Sequence, residues 1–232
     1  MCTRYTLMNL QALGEFCEVL GVALDPARFP PRYNVALTQR MPVIVSEGAP
    51  ALAELAFGFT LPPRPPEKRG LLLANARAET VRQRPAFREA VARRRCLVPA
   101  DGFYEFEKAG SARLPHHFYL KDHRPFFFAG LWQPETEAGP AAFVIVTTGP
   151  NELVRAVHER MPVILGPDEG RAWLGREPLA PEDLERLCRP LAADAMASHR
   201  VDARVNHVRY DAPDCVAPRP GGGGGADCAL RG

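Results

Sequence analysis

The second residue of this chain is a cysteine, and its position gives it an unusual chemical option. Once Met1 is removed, Cys2 carries a free α-amine and a thiol on adjacent carbons. Such a 1,2-aminothiol condenses with an aldehyde to an imine, and the thiol then closes a five-membered thiazolidine. An α-amine with a pKa of about 7.7–8.0 is roughly 10–20% neutral at pH 7, whereas a lysine near 10.4 needs strong perturbation to react as readily. On its own, position 2 is equally a place where a cysteine happened to fall, so the rest of the chain has to decide.

Glu105 is the first group that bears on the question. It is flanked by Phe103, Tyr104 and Phe106 on a strand-like run, and a carboxyl buried there would have a raised pKa and hold a proton near neutrality, as a general acid must. The alternative is an outward-facing glutamate on an edge strand. His158, beside Glu159 and Arg160 where a short helix hands over to a strand, can donate or accept a proton near pH 7; a lone histidine is also commonly structural. Asn75, Arg77 and Glu79 follow the apolar Leu71-Leu72-Leu73, and alternation would aim all three side chains from the end of a sheet. There Asn75 could orient a reacting oxygen and Arg77 clamp a phosphate, or the run could be a turn and a capped helix. Arg4, two residues from Cys2, could neutralise a phosphate and lower the thiol pKa.

Short elements must position these groups. Leu10, Leu13, Phe16, Cys17 and Leu20 fall at helical spacing before Gly21. Strands are expected at 41–45, 51–59, 96–99, 103–107, 117–120, 126–132, 143–148 and 161–165, with a last one at 201–208. Cys96 to Pro99 and Phe103 to Glu107 read as a hairpin about an Ala100-Asp101-Gly102 turn, with Phe103 and Glu105 on one face and Tyr104 and Phe106 on the other. Helices are expected over 85–94 (basic), 151–157 and 181–187. Met41-Pro42-Val43-Ile44 recurs as Met161-Pro162-Val163-Ile164, which hints at related halves without establishing a repeat. Strands outnumber helices without regular alternation, which predicts an α+β fold: a mixed, largely antiparallel β core with short helices packed outside. The reading is one domain over 1–216 and a Gly-rich tail over 217–232 that does not order.

Composition sets the compartment and the class of partner. No apolar run reaches the ~18 residues of a membrane span and no signal peptide is evident, so a cytoplasmic protein is expected, without membrane attachment. Six cysteines, at 2, 17, 96, 188, 215 and 228, form no C-x-x-C pair and read as reduced thiols; no zinc site or other cofactor is implied. The net charge of +2 hides a segment from Thr60 to Ala100 with ten basic and three acidic residues. That block suits a polyanion-binding face, although the preference for Arg over Lys runs through the whole chain.

In order and wording, the motifs together resemble the SRAP family (SOS-response-associated peptidases, the abasic-site processing proteins). The matching pieces are Met1-Cys2, Pro31-Arg32-Tyr33-Asn34-Val35, Asn75-Ala76-Arg77-Ala78-Glu79-Thr80, the run from Arg95 to Glu105, Phe128-Ala129-Gly130-Leu131-Trp132, and the run from His158 to Leu165. The resemblance implies a barrel-like SRAP fold and a monomeric sensor of abasic sites in single-stranded DNA. It implies that Cys2, freed of Met1, joins the C1′ aldehyde of the lesion as a thiazolidine, with lyase, self-reversal and autoproteolytic activities associated. By position Glu105 would be the acid/base, His158 would assist Schiff-base formation and reversal, and Asn75 would orient Cys2. Arg4, Arg77 and Arg160 would hold phosphates, with Asn34 and Thr147 lining the site. Three departures stand out: Thr3 where the family has Gly, and Phe57 and Phe106 where it has Trp. The last two would still offer a ring to stacking bases, with less area. Two other classes remain open on the residues alone: an N-terminal-nucleophile amidase or peptidase, and a non-covalent reader of modified DNA.

Overall fold

The computed structural model describes residues 2–63 and 70–219. At its centre a sheet closes on itself. The strand Ala142–Thr148 pairs in parallel with Pro50–Phe57, which pairs with Arg40–Ser46, then Arg95–Ala100, then Phe126–Gln133, which returns to Ala142–Thr148. Closure leaves these strands no free edge over the paired stretch. Their inward side chains are almost all apolar: Val43, Val98, Phe128, Phe143 and Ile145 are each fully buried.

A five-stranded antiparallel sheet lies beside this barrel, in the order Met196–Arg200, Ala112–Leu120, Gly102–Ala109, Arg4–Leu7 and Arg32–Ala36. Its inner face joins the barrel core, where Tyr5 meets Phe57 and Phe128 edge-on at 5.9 and 5.7 Å. Its outer face is covered by the chain after Arg200, through a smaller cluster of Tyr104, Val201, Val205 and Cys215.

The expected hairpin across Asp101 is not formed. Arg95–Ala100 belongs to the barrel and Gly102–Ala109 to the second sheet, so the chain changes sheets at Asp101 instead of turning back. Asp101 builds that corner: its carboxylate accepts from the Thr6 hydroxyl at 2.5 Å and from the backbone N–H groups of Met8 and Asn9 at 2.5 and 2.8 Å. Gly102 follows because His117 Nε2 lies where its Cβ would be. The alternation does hold: Phe103 joins the main core, while Tyr104 and Phe106 pack in the outer cluster.

Other expectations shift modestly. The first helix spans Leu10–Glu18 with Asn9 as its N-cap, and Gly21 sits at φ +73° just beyond it. The basic helix is shorter, Arg88–Arg93, while Glu152–Arg155 and Pro181–Leu187 form as expected. Residues 201–208 are not a strand; the last one is Met196–Arg200, followed by a 3-10 turn at Ala203–Asn206. The helix Pro167–Leu174 had no clear signal, and it buries Trp173. The repeated tetrapeptide does not mark related halves. Its first copy lies within one continuous barrel strand, whereas the second is split between two-residue strands on different partners. The polyglycine lies outside the described residues; just before it the Arg219 N–H still donates to the Arg200 carbonyl.

Candidate active site at the N-terminal cysteine

Cys2 lies just ahead of the strand Arg4–Leu7 and is fully buried. Its Sγ is 3.8 Å from the Arg4 carbonyl oxygen. Burial, with the nearby Glu105 carboxyl as a second cause, pushes the thiol far above its usual range, so it is neutral at rest. The Arg4 guanidinium does not lower it, contrary to the expectation from sequence. That group donates to Asn34 Oδ1 at 2.8 Å and to the carbonyls of Val205 and Asn206 at 2.7 and 3.1 Å. Asn34 acts in the same structural way, its Nδ2 donating to the carbonyls of Val205, His207 and Tyr210. Both side chains therefore hold the C-terminal cover in place.

Asn75 reaches Cys2 from the barrel. Its short strand, Asn75–Arg77, pairs in parallel with Ala142–Thr148 just beyond the point where Pro50–Phe57 leaves that edge, with Asn75 opposite Ile145. The Asn75 Nδ2 donates to the Cys2 carbonyl at 2.9 Å. Its Oδ1 is buried with no partner among the described residues, leaving an acceptor open in the site.

Glu105 comes from the other sheet. Strand alternation turns it inward with Phe103, leaving it only 1% exposed, and burial pushes its carboxyl up to about 7. Near neutrality it is populated both as acid and as carboxylate. His158 follows the Asn151-capped helix and faces Glu105, with Nε2 3.9 Å from Oε2. The Arg160 N–H donates to His158 Nδ1 at 3.0 Å, which places the proton of the neutral ring on Nε2, toward Glu105. Burial lowers the His158 pKa, so the neutral ring is the resting form. Cys2, Asn75, Glu105 and His158 thus converge from four separate segments.

The remaining residues named from sequence sit along the barrel rim. Thr147 is fully buried opposite Arg77, and its carbonyl accepts from Arg160 Nη2 at 2.7 Å. Arg160 also grips Glu79 with both arms, at 2.7 and 2.9 Å. Arg77 is exposed. The basic block breaks up. Arg64, Lys68 and Arg69 lie outside the described residues, and Arg94 pairs with Glu89 at 2.8 Å. Arg95 is buried, donating to five backbone carbonyls at Val91, Ala92, Trp173, Gly175 and Glu177. Arg77, Arg82, Arg84, Arg88 and Arg93 remain exposed.

One of the substituted positions is not a stacking surface. Phe57 is fully buried and stacked on Phe143 at 5.1 Å, so its ring belongs to the core. Phe106 packs in the outer cluster with Tyr104. Thr3 lines an open cavity of about 560 Å³ with Arg4, Arg32, Leu37, Gln39 and Arg209. The parts that sequence reasoning missed are the Asp101 corner and the Glu79–Arg160 fork. Their partners are 95 and 81 residues apart, and no local pattern links them.

The chain matches the family described as SOS response associated peptidase (SRAP) over residues 1–208. It is 34% identical over 226 residues to the abasic site processing protein YoqW of Bacillus subtilis, spanning 93% of this chain and 99% of that one. The abasic site processing protein YoaM of the same organism is 36% identical over 223 residues, spanning 93% and 97%. A solved structure from Bacteroides thetaiotaomicron shares the fold at a TM-score of 0.70 and 22% identity, covering 94% of this chain and 100% of that one. With a family match from residue 1 to residue 208 and relatives alike along nearly their whole length, this chain belongs to the SRAP family.

Proposed function

We propose that this protein processes abasic sites, and that it does so by capturing the lesion in single-stranded DNA as a thiazolidine on Cys2. The observation that carries the reading is the convergence of a buried N-terminal thiol with a carboxyl held near pH 7 and a neutral imidazole. The printed names of the relatives agree with it.

The chemistry follows from the protonation states. With Met1 attached, the Cys2 nitrogen is an amide and cannot condense, so loss of Met1 comes first. Deoxyribose at an abasic site is mostly a closed hemiacetal, and a positioned acid/base releases the aldehyde. The Cys2 amine then adds to C1′, and protonated Glu105 gives its proton to the departing hydroxyl, leaving water and an iminium. The Glu105 carboxylate next takes the thiol proton while sulfur bonds to C1′. Glu105 thereby returns to its acid form, and the balance is aldehyde plus aminothiol to thiazolidine plus water. A thiol this strongly raised is a poor nucleophile unaided, which is why the adjacent base matters. Holding amine, thiol and aldehyde together makes both ring-forming steps effectively intramolecular. His158, with its proton on Nε2, assists iminium formation and the reverse ring opening; Asn75 orients the cysteine. Strand cleavage by β-elimination would branch from the same iminium, so lyase activity competes with ring closure.

The test is incubation of the Met1-free protein with single-stranded DNA carrying one abasic site, read by denaturing gel and intact mass. An SDS- and heat-stable adduct is expected, absent in Cys2→Ala and slowed roughly 10²-fold or more in Glu105→Gln. Full adduct formation by Cys2→Ala refutes the mechanism. Binding without any adduct would instead favour a non-covalent reader, and hydrolysis of small amides in trans a peptidase.

A further inference from the structure

The guanidinium fork of Arg160 is already occupied. Nη1 and Nη2 of Arg160 donate to Oε1 and Oε2 of Glu79 at 2.7 and 2.9 Å, the bidentate geometry that a guanidinium offers equally to a carboxylate or a phosphate. The Arg160 side chain is only 13% exposed, whereas Glu79 is 52% exposed. A phosphate therefore cannot reach both arms of Arg160 without removing Glu79, and Glu79 has solvent to move into. Arg77, two residues before Glu79 and itself exposed, adds a second positive charge acting on the same carboxyl; with the Arg160 hydrogen bonds as the larger cause, it holds Glu79 below the ordinary carboxylate range. Arg160 is also fixed from behind by the Thr147 carbonyl, and its own N–H holds His158. The guanidinium is thus a prepared anion site at the edge of the reaction centre, filled by a side chain of the protein.

We propose that Glu79 is an internal stand-in for a DNA backbone phosphate: it occupies the Arg160 fork in the free protein and exchanges with a phosphate when the strand docks. The proposal rests on the reading of the chain as a single-stranded DNA binder. It makes Glu79 an affinity-setting residue that takes no part in the covalent steps. Each docking event breaks one ion pair to make another, so the contact adds less affinity than a vacant fork would, and undamaged strands are held less firmly. Glu79, once released, keeps its charge near the strand, which also reduces the net phosphate neutralisation per binding event.

A double-mutant cycle on binding tests this with a ligand that cannot react: single-stranded DNA bearing a tetrahydrofuran abasic analogue, followed by fluorescence anisotropy. Glu79→Gln should tighten Kd about 3- to 10-fold near 0.1 M salt. The slope of log Kd against log salt should steepen, by at most the ~0.7 expected for one fully neutralised phosphate of a single strand. Removing any negative charge near DNA helps binding somewhat, so the decisive quantity is the coupling. In an Arg160→Gln background the gain from Glu79→Gln should shrink at least threefold. Glu79→Asp, too short for both contacts, should fall between wild type and Glu79→Gln. Equal gains in both backgrounds, or weaker binding by Glu79→Gln in a protein with unchanged melting temperature, overturn the proposal. A wild-type protein that binds no single-stranded DNA fails the underlying reading instead, and adduct formation on a true abasic site separates the two failures.

Discussion

Replacing Glu105 by glutamine should change how the stability of this protein depends on pH, by an amount the structure sets. Burial raises the carboxyl from 4.5 to about 7 in the folded chain, while in the unfolded chain it returns to its ordinary value. A raised folded-state pKa means the folded protein holds this proton more tightly. The associated stability is fully present below pH ~4.5, declines as pH rises toward 7, and is gone above it. The rise from 4.5 to about 7, at ~1.4 kcal/mol per pH unit, amounts to about 3 kcal/mol lost across that window. Glutamine has the same shape and no proton to lose, so its variant should not show this loss. Urea unfolding of both proteins, with the same N-terminus, between pH 5 and pH 8 measures the difference while every other titrating group cancels. With m of roughly 2–3 kcal/mol/M, the separation of the two midpoints should change by about 1 M between those limits, in favour of Glu105→Gln at pH 8. Midpoints that stay a constant distance apart would show that Glu105 does not titrate near neutrality in the folded protein, and would remove the acid from the proposed mechanism.

Three further outcomes follow from the packing. Gly102→Ala should destabilise the fold by about 1–3 kcal/mol, visible as a fall in Tm, because the new methyl overlaps His117 Nε2 at a corner that cannot shift freely. Arg95→Met should cost about 3 kcal/mol in urea unfolding without slowing adduct formation by the folded fraction, since its guanidinium serves five carbonyls remote from Cys2. Arg4→Ala should raise amide hydrogen exchange across 201–216, whose carbonyls at Val205 and Asn206 it holds; unchanged exchange there would show that Arg4 does not fasten this segment.

How much of this was legible in the sequence depends on the range of the interaction. Alternation over Phe103 to Phe106 placed Glu105 on the inward face correctly, because a period of two residues is a local property of any strand. The helix from Leu10 and the stop at Gly21 were legible for the same reason. The hairpin at Asp101 was misread because a short polar turn between two apolar runs looks alike whether the strands pair or part. What separates the cases is whether a distant Thr6 and the start of a helix come to meet the carboxylate. Phe57 was misread as a base-stacking ring for a related reason: exposure of an aromatic depends on Phe143 and Tyr5, neither of them near it in sequence. The hydrogen bonds of Arg4 and Asn34 to the C-terminal segment were not legible, because their partners lie 201 and 176 residues away.

The two sheets explain why a neutral thiol and a half-protonated carboxyl can coexist at one point. Cys2 is tied by its carbonyl to Asn75 on the barrel and continues into the strand Arg4–Leu7, which pairs with the strand carrying Glu105. The site therefore forms where the two sheets meet, walled on both sides by apolar strands, and desolvation acts on both groups at once. It favours the uncharged thiol and the uncharged carboxyl, the protonation states that the first steps of condensation require. In the proposed mechanism no strongly basic group is needed: the carboxyl that would donate a proton to the leaving water would be, one step later, the base the thiol requires. The arrangement also carries its own limit. Well above pH 7 the carboxyl enters the reaction already ionised, the step that expels water loses its proton donor, and adduct formation should slow even as the free amine becomes more nucleophilic.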